Sequence, residues 1–156
     1  MIKQKTWKDH LNDVIRDVFF TDEELLDYML IPTEDKDNIV KFIDKYMIRS
    51  ATPDEILTNE KVRVSYCELQ SYSIGMNMTR KLLIFDVYVK DEYLHDVDDD
   101  MLKFRTDVIC QKIKELLTTK KYTCDINFNY SDDYDLYTKL IGYTRHRITF
   151  NYKISF

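Results

Sequence analysis

KLLIFDVYVKDEYLHDVDDDMLKFRTDVICQKIKELL, residues 81–117, holds two periodicities back to back, and the change between them decides the fold class. Over 81–90 apolar residues are nearly continuous, Leu82 to Phe85 and Val87 to Val89, with Asp86 between them, which reads as a strand more apolar than its neighbours. Over 98–118 the period lengthens. Met101, Phe104, Val108, Ile109, Ile113, Leu116 and Leu117 fall on one side of a helix and Lys103, Asp107 and Lys114 on the other. The spacing predicts one long amphipathic helix laid across a sheet.

On either side of that stretch the period is two. Val62, Val64 and Tyr66 alternate with Arg63, Ser65 and Cys67. In YTCDINFNY, 122–130, Tyr122, Cys124, Ile126, Phe128 and Tyr130 share one face against polar Thr123, Asp125, Asn127 and Asn129. The last segment sets Ile148, Phe150, Tyr152, Ile154 and Phe156 against Arg145, Arg147, Thr149, Asn151 and Lys153. Such alternation predicts a mostly antiparallel sheet of about four strands, covered on one face by the long helix and wet on the other, where Asp86 points. The class is α+β.

Residues 1–60 read as four helices. Thr6 caps a stripe of Trp7, Leu11, Val14 and Val18 over 7–19, and Thr21 with Glu24 forms a capping box for 22–30, ended by Ile31-Pro32. Ile39, Ile43 and Met47, widened by Val40 and Phe42, predict a third helix over 34–48. Thr52-Pro53-Asp54-Glu55 opens a short fourth. The division is therefore an N-terminal helical segment, 1–60, and a β-β-α-β-β sheet domain, 61–156. The first holds 8 Lys+Arg and 14 Asp+Glu, the second 15 and 14, so the helical front carries the acidity.

Composition excludes several classes. A chain of 156 residues buries enough surface to need no metal or disulfide for its core. Cys67, Cys110 and Cys124 form no CxxC pair, which predicts buried thiols in a reducing compartment. No apolar run suits a signal peptide or a membrane span, which predicts a soluble, unprocessed chain with no membrane partner. With Gly75 and Gly142 as the only glycines, phosphate loops and nucleophile elbows are excluded.

The remaining candidates for chemistry have plainer readings. Asp96, Asp98, Asp99 and Asp100 beside His95 lack the alternating acids, central Gly and terminal Glu of a calcium loop, and at a helix start they read as caps. Asp86 with Lys90 lacks the second acid of a metal-dependent nuclease, because Tyr88 and Val89 stand where it would be. His10 and His146 offer no ligand spacing. The sequence thus predicts no catalytic residue, no metal and no cofactor. Arg145-His146-Arg147 with Tyr143 and Lys153 is the best basic stripe, but the net charge of −5 opposes sequence-specific nucleic-acid binding.

The connection Leu69–Thr79 carries Tyr72, Ile74, Met76 and Met78 around Gly75. A plain hairpin turn needs Asn-Gly or Asp-Gly. The apolar residues either extend the two strands into a long hairpin folded over its own core or form a contact surface, a use to which Met and aromatics are suited.

Residues 62–156 resemble the small neck and tail-completion (tail terminator-like) proteins of tailed bacteriophages: strand VRVSYCEL, long apolar-tipped hairpin, strand LLIFDVYVK, acidic linker, helix MLKFRTDVICQKIKELL and two closing strands. In that family the strand delivers the linker into the helix, with an arginine, here Arg105, one turn in. The resemblance covers about three-fifths of the chain. It implies a virion structural protein, a homo-oligomeric ring at the head-to-tail junction contacting neck, portal or tail proteins, with DNA only as channel contents. It implies Tyr72, Ile74, Met76, Met78, Arg145, Arg147 and Lys153 as subunit-interface candidates. The other reading is a small regulatory or inhibitory protein-binding module using the acidic helical face.

Overall fold

The computed structural model describes residues 7–49, 60–75, 78–95, 103–119 and 126–155. In chain order these form α1 (Trp7–Phe20), α2 (Glu23–Tyr28), α3 (Thr33–Lys36), α4 (Ile39–Tyr46), β1 (Met47–Arg49), β2 (Val62–Gly75), β3 (Met78–Lys90), a 3₁₀ turn (Asp91–Tyr93), α5 (Arg105–Thr119), β4 (Asn127–Leu136) and β5 (Tyr143–Ser155). The class is α+β, with one five-stranded mixed sheet in the order β1-β2-β3-β5-β4. The short fourth helix, Thr6, Asp96 to Asp100, Tyr122 and Cys124 lie outside the described residues.

The strand beyond the expected four comes from the end of the predicted third helix. That helix divides into α3 and α4, and at Met47 the chain turns straight into β1, which runs parallel to β2 through Met47↔Val64 and Arg49↔Tyr66. Three residues carry too little pattern to announce a strand. Met47 is buried against the core, whereas Val40, expected to widen the helical face, is exposed.

α2 begins one residue later than its capping-box reading. Asp22, not Thr21, is the N-cap, accepting from the Leu25 N–H at 2.9 Å. The helix closes with Leu30 at φ 56°, its N–H bonded to the Asp27 carbonyl and that of Ile31 to the Leu26 carbonyl. This is the left-handed helix stop usually given to glycine, followed by Pro32.

α5 starts at Arg105. The capping reading of Asp98 to Asp100 falls outside the described residues, and the acid in the first turn of α5 is Asp107. Arg105 is the first helical residue, not one turn in. Its guanidinium donates to the carbonyls of Tyr93 at 2.9 Å and Tyr28 at 3.0 Å, tying the start of α5 to the end of α2.

One core joins helices and sheet. Leu11, Ile15 and Phe19 of α1, Leu25 and Leu26 of α2 with Met29 just after it, and Ile109, Ile113, Leu116 and Leu117 of α5 pack with Val64, Phe85, Val87, Ile148 and Phe150. Phe85 meets Phe19 and Phe150 edge to face, with ring centroids 5.5 and 5.9 Å away.

The opposite face is wet along the start of β4, where Asn127 and Asn129 are exposed, but not in the middle of the sheet. Ser65, Ile84, Asp86, Tyr88 and Thr149, which point away from the helices, are all buried. Asp86 is 3% exposed, against its expected position on a solvated surface. The alternation was right about which residues share a side and right that β4 exposes its polar residues, but in the middle of the sheet the polar side is buried, because Arg145 and Arg147 of β5 lie across Asp86.

Candidate functional site

β5 distributes three consecutive polar residues between the two faces. Arg145 and Arg147 point away from the helices, and His146 points toward α5. Each side gathers a charged cluster.

On the far face, the register sets Asp86 of β3 opposite Ser65 of β2 and Arg147 of β5. Arg147 donates from Nε and Nη2 to the two Asp86 oxygens, at 2.8 and 3.0 Å, and Arg145 adds Nη2 at 2.7 Å. The Arg145 guanidinium also lies 5.4 Å from the Tyr88 ring centroid. Hydrogen bonds to Asp86 outweigh burial and hold the Arg147 guanidinium above its ordinary pKa. Both arginines are engaged in satisfying a buried carboxylate, which is an architectural use.

On the near face, His146 is 6% exposed and stands among three carboxylates. Its Nδ1 is 2.7 Å from Asp135 Oδ1 and 3.6 Å from Asp107 Oδ1, and its Nε2 is 3.0 Å from Asp133 Oδ1. Asp107 comes from the first turn of α5, Asp133 and Asp135 from β4. A bulge aims the β4 acids. Ile126, Phe128 and Tyr130 face the helices as alternation predicts, but the register slips between Tyr130 and Asp132, so that Asp133 falls opposite Ile148 and Asp135 opposite His146. The extra residue swaps the parity of the strand.

The electrostatics of this cluster are lopsided. Burial works against charging His146, but the hydrogen bonds it donates to Asp135 and Asp133 prevail and raise its pKa. Burial, reinforced by Asp135 and Asp133, raises the Asp107 carboxyl against the pull of His146. A hydrogen bond from the Tyr130 hydroxyl lowers Asp133. Cys110, one turn beyond Asp107, is buried and its thiol is pushed well up by desolvation. Asp107 borders an open groove of about 460 Å³ between α2 and α5, lined also by Glu24, Tyr28, Phe104 and Lys112.

The sequence-predicted interface residues fall into two places. Tyr72, Ile74 and Met78 lie at the far end of the β2–β3 hairpin, which is strand to Gly75 and from Met78; Met76 lies outside the described residues. Tyr72↔Arg80↔Lys153↔Asn127 is one row across four strands, so Lys153 shares the hairpin end. Arg145 and Arg147 belong to the other end, in the rows of Tyr88 and Asp86. The His146 cluster escaped sequence reading because its members come from three segments with no ligand spacing between them.

Comparison with protein-family models and with curated proteins gives no significant match. Among the described residues, no helix is long and apolar enough to cross a membrane.

Proposed function

We propose that the protein is a virion structural subunit of a tailed bacteriophage, a neck or tail terminator ring subunit that assembles around the DNA channel. The β2–β3 hairpin carries this reading. Among the described residues β1 covers β2 only at Val64–Tyr66, and from Cys67 to Gly75 the outer edge of β2 has no second strand partner. An open edge of that length invites pairing, and a folded chain covers it, charges it or shares it with a neighbour. Its residues Cys67-Glu-Leu-Gln-Ser-Tyr-Ser-Ile-Gly75 carry one charge and no proline, so it is not written to repel another strand.

A head-to-tail contact between copies closes into a ring when the rotation closes. The surplus of Asp and Glu over Lys and Arg suits a ring through which DNA slides, because carboxylates do not grip phosphates. The neighbours are then the portal, neck or tail proteins above and below, and the protein has no catalytic role.

Purified particles test the reading by copy number. Quantitative mass spectrometry against an internal standard is expected to give about six or more copies per particle, a cyclic multiple in place of one or two. One or two copies, or absence from the particle, would overturn it.

A further inference from the structure

The geometry points to a divalent cation site formed by Asp107 of α5, Asp135 of β4 and Nδ1 of His146 on β5, with Asp133 orienting the imidazole through Nε2. One ligand atom from each of the three first-named residues lies within 4.8 Å of the others.

The hydrogen-bonding capacity of the imidazole makes this more than an acidic patch. A neutral histidine carries one N–H and one lone pair. With the proton on Nε2 and donated to Asp133, the Nδ1 lone pair faces the Asp135 oxygen at 2.7 Å and the Asp107 oxygen at 3.6 Å. Three acceptors then converge on one point with no donor between them. With the proton on Nδ1, the same conflict arises between Nε2 and Asp133 at 3.0 Å. A second proton or a metal ion resolves it. The second proton leaves three carboxylates around one imidazolium, a net negative charge screened in part by solvent, since the side chains of Asp107, Asp133 and Asp135 are 54%, 41% and 80% exposed. A dication brings it closer to balance.

The spacing suits an ion. Two donors each about 2.1 Å from a tetrahedral zinc are roughly 3.4 Å from one another; the Asp107 separation of 3.6 Å matches this, and the Asp135 oxygen, hydrogen-bonded at 2.7 Å, has to swing back by about 0.7 Å to admit the ion. An imidazole donating its other N–H to a carboxylate is the usual outer support of a metal-bound histidine. The buried His146 supplies the nitrogen, and the exposed Asp107 and Asp135 leave the site open to solvent on their side. One nitrogen with carboxylate oxygens suits a first-row ion of the manganese-to-zinc range better than calcium or magnesium, which prefer all-oxygen shells.

Bound there, the ion would tie the start of α5 to β4 and β5, and so brace the helix against the sheet. This inference is independent of the ring reading: a particle-free protein can bind the ion, and a ring subunit can lack it.

The full chain, stripped with chelator, is titrated with Zn²⁺ and separately with Mn²⁺ by calorimetry, and its thermal midpoint is followed alongside. The expected result is one equivalent bound and a midpoint raised by several degrees. Asp107→Asn with Asp135→Asn should abolish both, and Asp133→Asn should weaken binding by about 10–100-fold, as loss of an outer-shell partner does. Binding undiminished in the double variant places the ion elsewhere and overturns the proposal, as does no heat and no midpoint shift in the wild-type chain. Should the double variant fail to fold, nitrogen NMR of the wild-type chain decides. Zn²⁺ must shift Nδ1 of His146 and leave those of His10 and His95; an unmoved His146 also overturns it.

Discussion

Arg147 and Asp86 meet as a two-point fork, Nε to Oδ1 at 2.8 Å and Nη2 to Oδ2 at 3.0 Å, from positions that are direct partners in the β3–β5 register. The Asp86 side chain is 4% exposed and that of Arg147 21%. A buried pair of this kind contributes little by existing, since desolvation offsets the attraction, but losing one half strands the other. Asp86 thus holds two guanidiniums in place on a face that would otherwise bury unpaired charge.

Asp86→Ala should lower the unfolding free energy by about 3–5 kcal/mol, read from urea denaturation. Arg147→Lys, which keeps the charge and loses the fork, should cost distinctly less. A loss below about 1 kcal/mol for Asp86→Ala would mean that this cluster is solvated.

Arg105 bridges the carbonyls of Tyr28 and Tyr93. Arg105→Ala is expected to cost about 1–3 kcal/mol, the penalty for leaving buried acceptors without donors. Amide hydrogen exchange should show the loss concentrated at the end of α2 and the start of α5. Uniform acceleration across the sheet would contradict the local role.

The hairpin separates two outcomes. Replacing Tyr72, Ile74 and Met78 by serine leaves the backbone ladder to Arg80 and Ser155 able to form. Under the ring reading the monomer's thermal midpoint stays within about 2 °C while assembly is abolished, because a shift of 2–4 °C already corresponds to about 1 kcal/mol in a domain this size. A larger drop with assembly intact would mean that the tip packs on its own core and leave Arg145, Arg147 and Lys153 to be examined as the contact.

Burial raises the pKa of Tyr46, Tyr66, Tyr143 and Tyr152, helped at Tyr46 by its hydrogen bond to Asp35. These phenols keep their protons in the fold above pH ~10, where the unfolded chain releases them. Stability from these groups is therefore whole below pH ~10 and falls as pH rises beyond it. Absorbance at 295 nm should show their ionisation arriving together with loss of far-ultraviolet dichroism. Phenolate appearing well before that loss would show the rings to be accessible.

Much of this architecture was legible locally. The side-chain alternation of β5 and the 3.6-residue stripe of α5 are set by backbone geometry within each element, so Ile148, Phe150, Ile109 and Ile113 could be assigned to the core from their spacing alone. What the alternation could not carry was the state of the opposite face, which depends on Arg145 and Arg147 reaching Asp86 from 59 and 61 residues away. Nor could it carry β1, three residues that are strand only because β2 lies beside them.

By itself, then, the sequence determined the α+β class, the order of the main elements and which residues share a side, because those follow from propensity and period. The tertiary structure decided which sides meet. The slip between Tyr130 and Asp132 turns Asp133 and Asp135 toward His146, and the first turn of α5 brings Asp107 to the same ring. A bulge leaves no reliable mark in a strand's composition, and a cluster drawn from three segments has no spacing to read, so the site exists only once register and packing have been chosen.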